Sequence, residues 1–134
     1  MEAREYYHYV FATYKRRMSL DREIKEKLHE WFHDIASAKH FNIIAMNILD
    51  AHVHMLVEQK TNDSSAYIMR SIKGGSSYRL FLNYPNIDRV VYRKLWARSY
   101  CCRKINETGL RNLIEYIHNQ TDSLGIDKRF NEIR

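Results

Sequence analysis

Two apolar runs, Phe41 to Leu49 and Ala51 to Gln59, meet at Asp50, and no other feature constrains the fold of this chain as much. Runs of strand length broken at one turn residue read as an antiparallel hairpin, which commits the chain to an antiparallel sheet. The second run carries His52-Val53-His54. Side chains alternate along a strand, so the two imidazoles share one face while Val53 points into the opposite layer. That spacing is half of a metal site. It also suits a half-buried strand whose histidines hydrogen-bond to their neighbours.

The segments around the hairpin alternate in type. Tyr6 to Thr13 is aromatic and β-branched, as a strand should be, and runs into the basic turn Tyr14-Lys15-Arg16-Arg17. Asp21 to Lys39 places Ile24, Leu28, Trp31, Phe32 and Ile35 at helical spacing, with Ser19 or Asp21 available as a cap. Beyond the hairpin, Asn62 or Asp63 can cap a second helix that runs to about Asn83, buries Tyr67, Ile68, Ile72 and Leu80, and closes at Pro85. Gly74-Gly75 inside it predicts a close backbone approach or a break. Leu95 to Ile105 reads as another strand, and Asn106 can cap a last helix from Glu107 to about Ser123, ended by Gly125.

The order βαββαβ followed by a helix predicts an α+β fold of the split βαβ kind, ferredoxin-like or RRM-like. Its antiparallel sheet has helices on one side, and a C-terminal helix is added. Residues 1–134 fit one domain with a real core, given 45% hydrophobic content. No apolar run approaches a membrane span, and Met1-Glu2-Ala3-Arg4-Glu5 lacks the pattern of a signal peptide, so a soluble, cytoplasmic protein without membrane contact is expected. The adjacent Cys101 and Cys102 offer no normal disulfide and no zinc spacing, and packed thiols are expected. A net charge of +6 favours polyanionic partners.

His29-Glu30-Trp31-Phe32-His33 matches the H-E-x-x-H pattern of zinc proteases. Both histidines, however, fall roughly 110 to 160° from the apolar stripe of their helix, so they face solvent rather than a cleft floor. The motif is read as a solvated helix face.

In the last helix Leu110, Leu113, Ile114 and Ile117 form the buried stripe, and Tyr116 and Gln120, four apart, share its margin. A phenol beside a metal-bound phosphate is a plausible nucleophile, because nearby positive charge favours phenolate. Gln120 offers a neutral carbonyl oxygen to complete a coordination begun by His52 and His54. A tyrosine at such a margin is also often simple packing.

Four ordered segments then carry a resemblance: Asp50-Ala51-His52-Val53-His54-Met55-Leu56-Val57, Lys73-Gly74-Gly75-Ser76-Ser77, Leu95-Trp96-Ala97-Arg98-Ser99-Tyr100 and Tyr116-Ile117-His118-Asn119-Gln120. Together they resemble the small single-tyrosine transposases of the HUH superfamily, those of the insertion sequences numbered two hundred and six hundred and five, over nearly the full length. The resemblance implies a prokaryotic enzyme that nicks and rejoins single-stranded DNA at insertion-sequence ends through a 5′-phosphotyrosine intermediate. By it His52, His54 and Gln120 are ligands of Mg²⁺ or Mn²⁺, and Tyr116 is the nucleophile. It further implies DNA hairpins at element ends as partners, and a homodimer in which each tyrosine helix completes the other protomer's site. One departure stands out: Ala51 occupies the place directly before the first histidine where the family usually has an acid, and Asp50 lies one residue earlier, turned to the other face.

From Arg89 to Lys104 the chain carries Arg89, Arg93, Lys94, Arg98, Arg103 and Lys104 with no acid between them, interleaved with Tyr92, Trp96 and Tyr100. Basic groups track phosphates and aromatic faces stack unpaired bases, as a single-strand groove requires, although Trp96 and Tyr100 suit a core as well. Lys73 is a further phosphate contact, and the resemblance suggests Lys15, Arg16 and Arg17 for hairpin binding, where a merely solvated run is the alternative. The rival functions are a rolling-circle replication initiator or relaxase-like nickase, and a non-catalytic single-strand nucleic-acid-binding domain.

Overall fold

The computed structural model of the chain describes residues 3–14, 19–87 and 94–121. Among these, four strands, β1 (Arg4–Ala12), β2 (Asn42–Ile48), β3 (His52–Lys60) and β4 (Cys101–Ile105), alternate with helices α1 (Arg22–Lys39), α2 (Ser65–Asn83) and α3 (Leu110–His118). The strands form one sheet in the order β2-β3-β1-β4, each neighbour antiparallel. That is the split βαβ order, so the fold class read from the sequence holds.

Tyr9 and Phe11 of β1 and Val53, Met55 and Val57 of β3 face α1 and α2, which contribute Leu28, Phe32, Ile68 and Ile72 to a shared core. Helix α1 begins where the Asp21 carboxylate accepts from Ile24 N. It ends at His40, whose left-handed backbone (φ 64°) returns its N–H to the carbonyls of Ala36 and Ser37. Helix α2 runs unbroken through its two glycines. A Cβ at Gly75 would lie 2.7 Å from Ile35 Cδ1, so the close approach of the two helices explains that glycine. Gly74 faces open space.

Helix α3 covers the other face, where Ile117 packs on Leu56 and Ala45. What puts the right residues there is a β-bulge between Ile43 and Ala45. Ile43 pairs with Val57 on the core side. After the extra residue Ile44, Ala45 pairs with Leu56 and Asn47 with His54, both on the side of α3.

Three expectations need correction. Helix α2 is capped by Ser64, which accepts from Tyr67 N, rather than by Asn62 or Asp63; the backbone of Asp63 is held in the preceding turn by Lys60 O and by Gln59 Nε2. Only Cys101–Ile105 of the expected strand Leu95 to Ile105 forms a ladder. Before it the chain makes a single bridge, Thr13 to Trp96, and is diverted where Lys73 Nζ bonds Arg98 O. The last helix starts later than Glu107, because Glu107–Gly109 is a 3₁₀ turn and Asn106 makes no side-chain cap bond. It also ends earlier, at His118. Gly125 lies outside the described residues.

Candidate active site

The hairpin turn sets the start of the histidine strand. Leu49 N bonds His52 O across Asp50 and Ala51, and the turn is tied to the entrance of α1 by Leu20 N to Asp50 O and Lys25 Nζ to Asp50 Oδ1 (2.6 Å). The Asp50 carboxylate therefore reaches α1, as its parity implies, while the strand carries His52 and His54 to the opposite face. Both histidines are buried, with ring centroids 5.2 Å apart.

Over them stands the tyrosine. The Tyr116 ring lies edge-on to His54 at 5.9 Å between centroids, on the half-buried margin of α3. A residue that sequence reasoning missed shares this cluster: His8 of β1, 2% exposed, lies 6.3 Å from the Tyr116 ring, and its Nε2 is 3.1 Å from His54 Nδ1. Its signal was present, since His8 alternates with the core residues Tyr7, Tyr9 and Phe11. That becomes informative only once β1 is known to lie beside β3.

Asn47 was missed as well. Its Nδ2 donates to Ile117 O (2.9 Å) and Gln120 O (3.0 Å), which ties the end of the tyrosine helix to the residue directly across from His54. Gln120 sits just beyond the helix, and its Nε2 donates to Tyr116 O at 3.2 Å. Its hydrogen bonds thus attach it to α3 and β2 rather than to the histidines.

The donor set suits a divalent cation. The Nε2 atoms of His52 and His54 are buried on one face and make no hydrogen bond, although both residues have other contacts. Imidazole nitrogens suit first-row transition metals, and a carboxamide oxygen suits Mg²⁺ and Mn²⁺. Among the described residues no three His, Cys, Asp or Glu side chains form a metal cluster by themselves.

The expected DNA-contacting residues separate into groups. Arg103, exposed, pairs with His8 across the β1–β4 ladder and so lies on the histidine face; Lys104 lies on the other face, 3.4 Å from Glu5 Oε1. Lys73, Lys94 and Arg98 line a separate cavity of about 350 Å³ with Tyr14 and Ser77. Burial holds the Lys73 ammonium below the usual lysine range, and Lys94 lies over the Tyr14 ring. Trp96 is a core residue, 7% exposed, its indole N–H donating to Ser76 Oγ, and it also lines that cavity. Its burial accords with packing in the core. Lys15, Arg16, Arg17 and Arg93 lie outside the described residues. His29 and His33 are exposed on α1, so the protease-like motif is a solvated helix face. No helix among the described residues is long and apolar enough to cross a membrane.

Residues 3–120 match the family described as transposase IS200 like. The ISDra2 transposase TnpA of Deinococcus radiodurans is 27% identical over 117 residues, spanning 87% of this chain and 84% of the relative. The transposase for insertion sequence element IS200 of Salmonella typhimurium is 25% identical over 117 residues, spanning 87% and 76%. A crystal structure of a transposase from Deinococcus radiodurans R1 superposes with a TM-score of 0.72 at 25% identity, covering 90% of this chain and 94% of the other. The structure of a REP-associated tyrosine transposase bound to a REP hairpin shares the fold, with a TM-score of 0.66 at 17% identity and coverage of 88% and 67%.

Proposed function

The chain belongs to the IS200-like transposase family, and from that premise we propose that it cuts and rejoins single-stranded DNA with Tyr116 as the nucleophile. The single observation that carries this reading is the Tyr116 ring standing edge-on to His54, 5.9 Å between centroids, above a strand that presents two imidazoles on one face.

Tyr116 Oη forms a bond to the scissile phosphorus while the P–O3′ bond breaks. The phenol proton passes to solvent, and the departing strand end takes up a proton to become a free 3′-OH. The DNA is left as a 5′-phosphotyrosine ester. Because that ester keeps the phosphodiester energy, a 3′-OH from another cut end attacks it, restores the phenol and rejoins DNA without ATP. His52, His54 and the side-chain oxygen of Gln120 would hold Mg²⁺ or Mn²⁺, which supplies Lewis-acid polarisation of the phosphate when bound. His54 orients the site from below, Asn47 holds the tyrosine helix in place, and Arg103 offers positive charge to the strand on the same face.

The partners that go with this reading are single-stranded DNA bearing hairpins at element ends and a second copy of the chain. Helix α3 is short, with Ile117 its one fully buried residue, so its attachment is light enough for exchange between copies into composite sites. The cavity of Lys73, Lys94 and Arg98 is the surface proposed for the DNA backbone.

The test is incubation with Mn²⁺ and labelled single-stranded DNA carrying an element end. A covalent adduct with the wild type that is lost in Tyr116→Phe, while hairpin binding persists, is the expected result. An adduct that survives in Tyr116→Phe overturns the nucleophile, and no adduct with either protein leaves a binding domain.

A further inference from the structure

The geometry points to His8 as a positioning residue that fixes the tautomer of His54 and so presents its unprotonated Nε2 to the cation. This rests on the metal reading of His52 and His54 given above.

The two rings belong to adjacent strands. In the β1–β3 ladder Val10 pairs with His54 and His8 with Leu56, so His8 is the diagonal neighbour of His54 on the same face. The contact between His8 Nε2 and His54 Nδ1 is 3.1 Å, with 23° between ring planes and 5.3 Å between centroids. The centroids are farther apart than the nitrogens by about two ring radii, which sets the imidazoles end to end rather than face to face. The proton between them is therefore aimed along a lone pair, as a strong hydrogen bond requires. Both rings are buried, at 2% and 0% exposure, so packing holds this geometry.

A neutral imidazole carries one proton on one of its two nitrogens. If His54 donates from Nδ1 to His8 Nε2, its own Nε2 keeps a lone pair for a cation. If instead His8 donates from Nε2, the His54 proton sits on Nε2 and the ligand is blocked. One hydrogen bond in two senses thus separates a competent ligand from an incompetent one. The inferred state has His54 protonated on Nδ1, with His8 accepting at Nε2 and carrying its own proton on Nδ1. Partners of this kind also raise ligand basicity and fix ring orientation. The same ring lies edge-on to Tyr116 at 6.3 Å, so His8 braces the nucleophile's side of the site as well.

The experiment has two readouts, neither of them catalysis. Long-range ¹H–¹⁵N spectra of the metal-free wild type report which nitrogen of His54 bears the proton. Calorimetry with Mn²⁺ alone then compares the wild type with His8→Phe, which removes the acceptor, and His8→Gln, whose side-chain oxygen still accepts. The expected results are protonation of His54 at Nδ1, a fall in Mn²⁺ affinity of about 10- to 100-fold in His8→Phe, and recovery to within about threefold of wild type in His8→Gln. A wild-type His54 protonated on Nε2 overturns the inference even if His8→Phe fails to fold. So does a folded His8→Phe that binds Mn²⁺ as the wild type does. A wild type that binds no Mn²⁺ removes the metal reading itself, and the role of His8 with it.

Discussion

The two faces of one sheet divide the labour of this protein. On strands β1 and β3, Tyr9, Phe11, Val53, Met55 and Val57 face a continuous apolar core under two long helices, while His8, His52 and His54 face a short third helix. Alternating residues of the same two strands thus line the core and the proposed site. Fixing the backbone through one face pre-organises the other at no further cost in backbone entropy, which helps a site hold imidazoles at fixed separations.

The sharpest way to break that comparison is a pair of substitutions. Tyr116→Phe is expected to reduce DNA cleavage by on the order of 10⁴-fold or more while shifting stability by under about 1 kcal/mol. Phe11→Ala, at a fully buried position packed edge-to-face against Phe32 and Trp96, is expected to cost about 3–5 kcal/mol in urea unfolding and to keep cleavage in the fraction that stays folded. If Phe11→Ala abolishes cleavage in fully folded protein, or Tyr116→Phe unfolds the chain, the faces are not independent.

A smaller perturbation probes the seam between sheet and tyrosine helix. Asn47→Ala removes the donor to two carbonyls at the end of α3, an expected loss of about 1–3 kcal/mol in the docking of that helix. Amides of Ile114 to His118 should exchange with deuterium faster, while those of α1 keep their protection. Uniform acceleration over both helices would show that α3 is part of the core's cooperative unit.

Much of this arrangement was legible in the sequence. The helical period and Asp21 cap located α1, the two apolar runs located the hairpin, and alternation put His52 and His54 on one face. The remainder depended on events that leave no periodic mark. Asn47 reaches the histidine face only because Ile44 is inserted at a bulge, and a one-residue insertion in a uniformly apolar run is invisible to alternation. His8 needed the β1–β3 register, a contact between distant segments. Leu95 to Tyr100 looked like a strand because its apolar residues are buried, but Trp96 buries its ring beneath α2 instead of extending a ladder. Spacing put Gln120 on one helix with Tyr116, yet the helix stops short of it at His118 and its amide turns back to the Tyr116 carbonyl.

The smallest effect uses the two adjacent cysteines of β4, which parity assigns to opposite faces: Cys101 pairs with Val10 on the histidine side and Cys102 with Tyr9 on the core side. Burial pushes the Cys102 thiol above its ordinary value, outweighing the hydrogen bonds from Ser65 and Tyr9 that act the other way. A raised folded pKa means the neutral thiol is favoured in the native state. Its contribution to stability is fully present below the unfolded thiol pKa of about 8.5 and is lost as pH rises through the folded value. In a Cys101→Ser variant, alkylation of Cys102 by iodoacetamide should therefore turn on at higher pH than that of a free thiol, and stability should decline over the same alkaline range. Alkylation that turns on at or below the free-thiol pH would place Cys102 in a polar setting and erase the contrast between the faces at this edge of the sheet.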